Sequence, residues 1–317
     1  MDTTFKYKEE CVEFHNRDGL LLRGIVHHAA SENTKGVTLI CLNTGLNDMA
    51  GWHRIQVKTA RVLAENGYDV LRYDDTGIGD SEGKLDHSSI VHIFSEIETG
   101  LFVENADAAV VFMRSRHPDS TLVYLGFCGG GLTGIHSAAV NKELSGVICI
   151  GGPVTLSSDD YLYKRDPWVV RQNINNYKDK VFTLRSWINI LTFRGDYKLI
   201  FSSIFYYLRH KRKGEYEEPT EQNVLTDTVN LNKSLFHFFE LLAKQRRPGL
   251  FFYAETDSAT WEFKKYFLPK YQHTFFSEGN LCEFVEAENA NHILSSRKSQ
   301  QLLNKTILRW LENHFSN

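Results

Sequence analysis

The feature that most restricts the fold of this chain is the stretch Thr121 to Gly131, where an apolar run ends in a cysteine set between glycines. Thr121-Leu122-Val123-Tyr124-Leu125-Gly126 has the continuous apolar character of a strand buried on both faces. Gly126-Phe127-Cys128-Gly129-Gly130-Gly131 then implies a tight reversal, because glycine tolerates backbone angles and close approaches that other residues do not. Leu132 to Val140 reads as a helix directly afterwards. Strand, sharp turn and helix in that order point to a parallel sheet covered by helices.

The rest of the first half repeats this alternation. Cys11 to Asn16 and Leu20 to His28, on either side of Arg17-Asp18-Gly19, read as an opening hairpin. Strands are expected at Val37 to Leu42, Asp69 to Tyr73 and Gly146 to Ile150. His53 to Asn66 is helical and stops at Gly67, and Glu98 to Arg116 reads as one long helix ended by His117-Pro118. From Pro153 to Arg247 the strand signal vanishes and amphipathic, aromatic-rich stretches replace it, among them Trp187 to Leu191, Leu199 to Leu208 and Leu235 to Leu242. Alternation resumes with strands at Leu250 to Ala254 and Glu283 to Val285 and a closing helix from Ser296 to His314. The expected organisation is an α/β core of residues 1–152 and 248–317, with a mostly parallel eight-stranded sheet, interrupted by a helical cap at residues 153–247.

Composition removes several classes of function. A net charge of −3 leaves no basic footprint for nucleic acid, and Lys211-Arg212-Lys213 reads as a solvated loop beside the acidic stretch that follows. No segment reaches the roughly 20 continuous apolar residues of a membrane span. Five cysteines, Cys11, Cys41, Cys128, Cys149 and Cys282, form no paired framework and no ligand spacing for zinc, which fits a reducing cytoplasm.

The chemistry is concentrated in three places. The glycine-bounded turn at Cys128 has the form of a G-x-S-x-G nucleophile elbow with cysteine in place of serine, and the helix start behind it favours a thiolate. The strand at Leu250 runs into Glu255-Thr256-Asp257, and the last strand runs into Asn289-Ala290-Asn291-His292. Nucleophile, acid and base in that chain order predict Cys128 as the attacking atom, His292 as its base and Asp257 as the residue that orients the imidazole, with Glu255 the alternative acid. The turn Asn43-Thr44-Gly45-Leu46 supplies an oxyanion hole, from the backbone N–H groups of Leu46 and Gly129. The glycines and acidic side chains of Arg72-Tyr73-Asp74-Asp75-Thr76-Gly77-Ile78-Gly79-Asp80-Ser81-Glu82-Gly83 read as a turn network near the elbow, and the loop lacks the third glycine and the lysine of a phosphate loop.

Taken together, these motifs resemble the α/β-hydrolase superfamily from Val12 to His314. Within it the chain most resembles the exosortase-A-associated hydrolases of the first type, through the Arg72 to Gly83 loop, the Gly126-Phe127-Cys128 elbow and Tyr161 to Trp168. The resemblance implies a cytoplasmic hydrolase. Cysteine chemistry adds that a thioester passed to Cys128 remains an activated thioester, so transfer or release of an acyl group is expected over cleavage of an unactivated amide. The expected substrate is a small-molecule ester or thioester with an apolar acyl part, carried on coenzyme A or an acyl carrier protein, and no metal or organic cofactor is called for. Two alternatives stand: a non-catalytic protein of the same fold that binds a ligand or partner, and a serine at position 128 replaced by cysteine.

Overall fold

The computed structural model describes residues 7–30, 34–85, 89–157, 230–277 and 281–315. Apolar runs make eight strands: β1 (Glu9–His15), β2 (Leu21–His27), β3 (Val37–Leu42), β4 (Asp69–Tyr73), β5 (Thr121–Phe127), β6 (Leu144–Ile150), β7 (Gly249–Ala254) and β8 (Cys282–Ala287). They join one sheet in the order β1-β2-β4-β3-β5-β6-β7-β8. Only β2 runs against its neighbours, and every pairing from β4 to β8 is parallel.

The period of the strands splits the core between two faces. Ile40, Leu42, Tyr124, Phe251 and Tyr253 point to one, and Leu39, Cys41, Leu125, Leu250 and Phe252 to the other. Helix α1 (Ile55–Glu65) covers the second face, and its turn into β4 uses Gly67 at φ +91°. Helices α2 (Ile90–Thr99), α3 (Val103–Arg116) and α4 (Gly129–Val140) follow in the chain, with α3 and α4 packed on the first face.

The structure breaks the single helix expected over Glu98 to Arg116. Gly100 sits at φ +119° and ends α2, Phe102 is buried behind it, and α3 starts anew at Val103. The physical reason is glycine's freedom at a left-handed helix end, combined with the burial of an aromatic ring in the link. Helix α5 (Lys233–Lys244), counted within the insertion in the sequence reading, lies on α4, with Leu235, Phe239 and Leu242 buried in the first-face core. Asn232 caps it by accepting from the Leu235 N–H at 3.0 Å. The aromatic residues Trp168, Trp187, Phe201 and Tyr207 lie outside the described residues, as does most of the expected cap.

The second half of the core is closed by α6 (Ser258–Glu262), a π-helical turn over Phe263–Phe267, α7 (Leu268–Phe275) and α8 (Arg297–Phe315). Phe239, Phe251, Phe263 and Phe267 form an aromatic cluster there, with centroid spacings such as 4.8 Å and 4.9 Å. Because β3 and β5 to β8 are parallel, the loops after them open at one edge of the sheet. That is where ligands bind in sheets of this kind.

Candidate active site

The elbow at that edge is fixed by backbone contact. Cys128 adopts φ 53° and ψ −122°, a conformation costly for any residue with a side chain. A Cβ on Gly126 would lie 2.3 Å from the Gly130 carbonyl carbon, and one on Gly130 would lie 2.2 Å from the Asn43 carbonyl oxygen. Only glycine fits at either place. The Cys128 N–H donates to the Ile150 carbonyl at 2.7 Å, and the half-exposed side chain stands at the start of α4.

Asp257 and His292 reach the same place from β7 and β8. The Thr256 N–H and hydroxyl both donate to the Ala290 carbonyl, at 3.0 and 2.8 Å, which ties the two loops together. Asp257 is buried and has both carboxylate oxygens engaged. Oδ1 accepts from the Ala259 N–H at 3.1 Å and so caps α6, while Oδ2 lies 2.6 Å from His292 Nδ1. The Cys128 sulfur stands close enough to the same imidazole to bear on its charge. Burial works against a charged imidazole here. The hydrogen bond to Asp257, the nearness of Cys128 and the charges of both outweigh it and hold the His292 pKa up to about 10. The alternative acid, Glu255, is exposed and accepts instead from the Asn289 N–H at 2.6 Å. Of the two acids, Asp257 is the one that meets the imidazole.

The two oxyanion candidates come from neighbouring segments. Gly45, at φ +56°, runs beside Gly129, since a Cβ on Gly129 would stand 3.8 Å from the Gly45 Cα. Leu46 is half-buried against Ile78, Ile97 and Phe102. The Thr44 hydroxyl accepts from Gln56 Nε2 at 2.9 Å, while the same nitrogen donates to the Leu42 carbonyl.

The Arg72 to Gly83 loop builds the floor. Arg72 is buried, donating from Nη1 to the Met49 carbonyl at 2.7 Å and from Nε to His27 Nε2 at 2.9 Å. Burial and the Arg72 charge lower the His27 pKa to about 4, so the ring is neutral and can accept. Asp74 takes the Met49 N–H at 2.6 Å and the Asp80 N–H at 3.1 Å. Beside it, burial raises the Asp75 pKa to about 8, and Asn105 donates to its carboxyl at 3.2 Å.

Sequence reasoning missed three neighbours of His292 and the elbow. Gly151, at φ +61°, lies under the imidazole, and Trp52 meets it edge-on with ring centroids 5.0 Å apart. Helix α2 brings Ile97 to within 2.6 Å of a Cβ built on Gly129. The pair Gly51-Trp52 ahead of a helix was the one available signal, and it carries little by itself.

Comparison with known proteins agrees with this architecture. The family model for serine aminopeptidase S33 matches residues 34–181. The esterase Pf2001 of Pyrococcus furiosus superposes with a TM-score of 0.59 at 15% identity, covering 99% of this chain and 96% of that one. A serine hydrolase of Xanthomonas campestris described as lacking a lid gives 0.55 at 13%, covering 98% and 96%. This is the α/β-hydrolase fold. The hydrolase GrgF of Penicillium sp. sh18 is similar too, at 0.57 and 16% identity over 98% and 100% of the two chains. No curated protein sequence matches the chain. The family match covers less than half of the chain and the solved structures show its fold; the matched family is described by a serine activity where this chain has Cys128. Among the described residues no helix is long and apolar enough to cross a membrane, and no group of three His, Cys, Asp or Glu residues is placed to hold a metal ion.

Proposed function

We propose that the chain is an acyl hydrolase or acyltransferase of thioesterase type, working through an acyl-Cys128 intermediate. One observation carries this reading: a single imidazole, that of His292, bonds a buried carboxylate through Nδ1 and stands beside the Cys128 sulfur. An imidazole held beside a thiol can take its proton and so supply the attacking form.

In this reading Cys128 Sγ bonds to the acyl carbon and pushes the carbonyl electrons onto oxygen. The N–H groups of Leu46 and Gly129 receive that oxyanion. As the carbonyl re-forms, the bond to the leaving oxygen or sulfur breaks, and His292 gives the leaving group its proton. His292 then takes a proton from water or another acceptor, which attacks the acyl-sulfur carbon and frees Sγ. Asp257 keeps Nδ1–H directed at itself throughout, so that the other ring nitrogen faces the sulfur. The apolar residues around the elbow, Trp52, Leu46 and Ile97, suit a substrate with an apolar acyl group, delivered on coenzyme A or an acyl carrier protein. Free cysteines suit a cytoplasmic location. The likeness to exosortase-associated hydrolases adds no substrate.

The test is mass spectrometry of intact protein mixed with acyl-thioester probes of graded chain length. An adduct on Cys128 that is absent from Cys128→Ala is expected. Wild-type protein free of adduct across the whole panel sinks the reading.

A further inference from the structure

The segment Gly51 to Arg54 makes a tight turn, in which the Gly51 N–H donates to the Asp48 carbonyl at 3.0 Å and the Arg54 N–H to the Gly51 carbonyl at 3.1 Å. Gly51 is at φ 66° and ψ 177°, a region open to glycine alone. His53 and Arg54 follow at φ 52° and 58°, both left-handed and both exposed. Two consecutive non-glycine residues in this region are uncommon. Neither side chain is buried, so neither is held there by packing.

What the turn does is place the residue between Gly51 and His53. Trp52 is half-buried, and its ring meets the His292 ring at a centroid distance of 5.0 Å and an interplanar angle of 61°. The turn is anchored from below at Met49, whose N–H is taken by Asp74 and whose carbonyl is taken by Arg72. It is anchored from above by Gln56, whose N–H donates to the Ala50 carbonyl at 3.2 Å. Both buried charged residues of the Arg72-x-Asp74 motif thus grip one residue, Met49, through the peptide units on either side of it, three residues before the indole.

We infer that Trp52 is a positioning residue for His292, and that the clamped, left-handed turn exists to press the indole against the imidazole. Asp257 fixes Nδ1, but one hydrogen bond leaves the ring free to swing about that contact. Gly151 closes one side, with 3.5 Å from its built Cβ to the imidazole, and Trp52 closes another. The ionisable groups that bear on the ring are Asp257 and Cys128. The inference rests on the reading of Cys128 and His292 as the reacting pair.

Alkylation of Cys128 by iodoacetamide, followed by peptide mass mapping from pH 5 to pH 10, tests it without needing a substrate. Wild type, Trp52→Phe and Trp52→Leu are compared; leucine keeps apolar bulk and loses the ring. Trp52→Leu is expected to slow alkylation about tenfold near neutral pH, with the deficit closing above about pH 9, where a lone thiol ionises unaided. Trp52→Phe is expected to recover most of the rate. Loosened folding would instead raise the rate of Trp52→Leu at every pH and overturn the inference, as would a profile that superimposes on wild type. The acyl-thioester panel separates the two claims. Wild type without acyl adducts but with the Trp52-dependent profile defeats the acyl-transfer reading and leaves the positioning role. Acylated wild type with an unchanged Trp52→Leu does the reverse.

Discussion

Cys128 and His292 stand side by side but are held by opposite means. The cysteine is placed by its backbone: Gly126 and Gly130 touch neighbouring main chain so closely that no side chain fits, and the elbow has a single shape. The histidine sits on a loop and is placed by side chains that arrive from elsewhere, Asp257 after β7 and Trp52 after β3. The position of Cys128 is therefore part of the fold, and that of His292 is added to it. Changes around the first should cost stability, and changes around the second should cost rate alone.

The sharpest way to break this contrast is Gly126→Ala. Its Cβ would stand 2.3 Å from main-chain atoms of Gly130, which cannot rotate away, so a loss of about 3 kcal/mol or more in urea unfolding is expected. A variant of wild-type stability would show that the elbow is not sterically fixed. On the other side, Asp257→Asn keeps an oxygen able to cap α6 but no longer holds the imidazole in one tautomer. About a 10³-fold fall in acylation rate, with an unfolding midpoint near that of wild type, is expected. A large drop in both would erase the distinction.

A smaller effect separates the floor from the site. Burial raises Asp75 to about pKa 8 and Glu98 to about 7, the latter opposed by the Ser157 N–H and hydroxyl that donate to it at 2.6 and 2.8 Å. Both values lie above the unfolded range near 4, so the native state holds these protons more tightly. Stability is then highest below about pH 4 as far as these groups go, falls by up to about 1.4 kcal/mol per pH unit for each as pH rises from there, and levels off once pH passes about 7 for Glu98 and about 8 for Asp75. Asp75→Asn should flatten that slope in urea titrations at pH 5 to 8, and an unchanged slope would refute the assignment. Smallest of all, Glu255→Gln should change the acylation rate less than about threefold, since its carboxylate serves the Asn289 N–H and leaves the imidazole to Asp257. A loss comparable to Asp257→Asn would make Glu255 the orienting acid.

What could be read from the sequence follows the same division. Features set by local rules were visible: the apolar runs of β3 to β7, the glycine-bounded Cys128, and a histidine after the last strand. Features set by tertiary contact were less so. Asp257 was preferred with Glu255 left as the alternative, since both follow the same strand; the loop bonds between Thr256 and Ala290 accompany the inward turn of Asp257. Gly100 within an apparently helical stretch gave no sign that Phe102 would turn into the core. The Lys233–Lys244 helix has the amphipathic pattern of any covering helix, so its residues did not reveal that it packs on α4. Trp52 was the least visible, because left-handed His53 and Arg54 break every local preference.

One carboxylate sets a limit on how this scaffold can be redesigned. With Oδ1 committed to the first turn of the Ser258–Glu262 helix and Oδ2 to the imidazole, Asp257 cannot rotate to follow a displaced partner. Lengthening or shortening the chain between Ala254 and Ser258 would therefore forfeit two functions at a stroke. The loop carrying His292 has more latitude, provided the Ala290 carbonyl still finds Thr256. New specificities should be sought by grafting on the histidine side, with the aspartate side left as it stands.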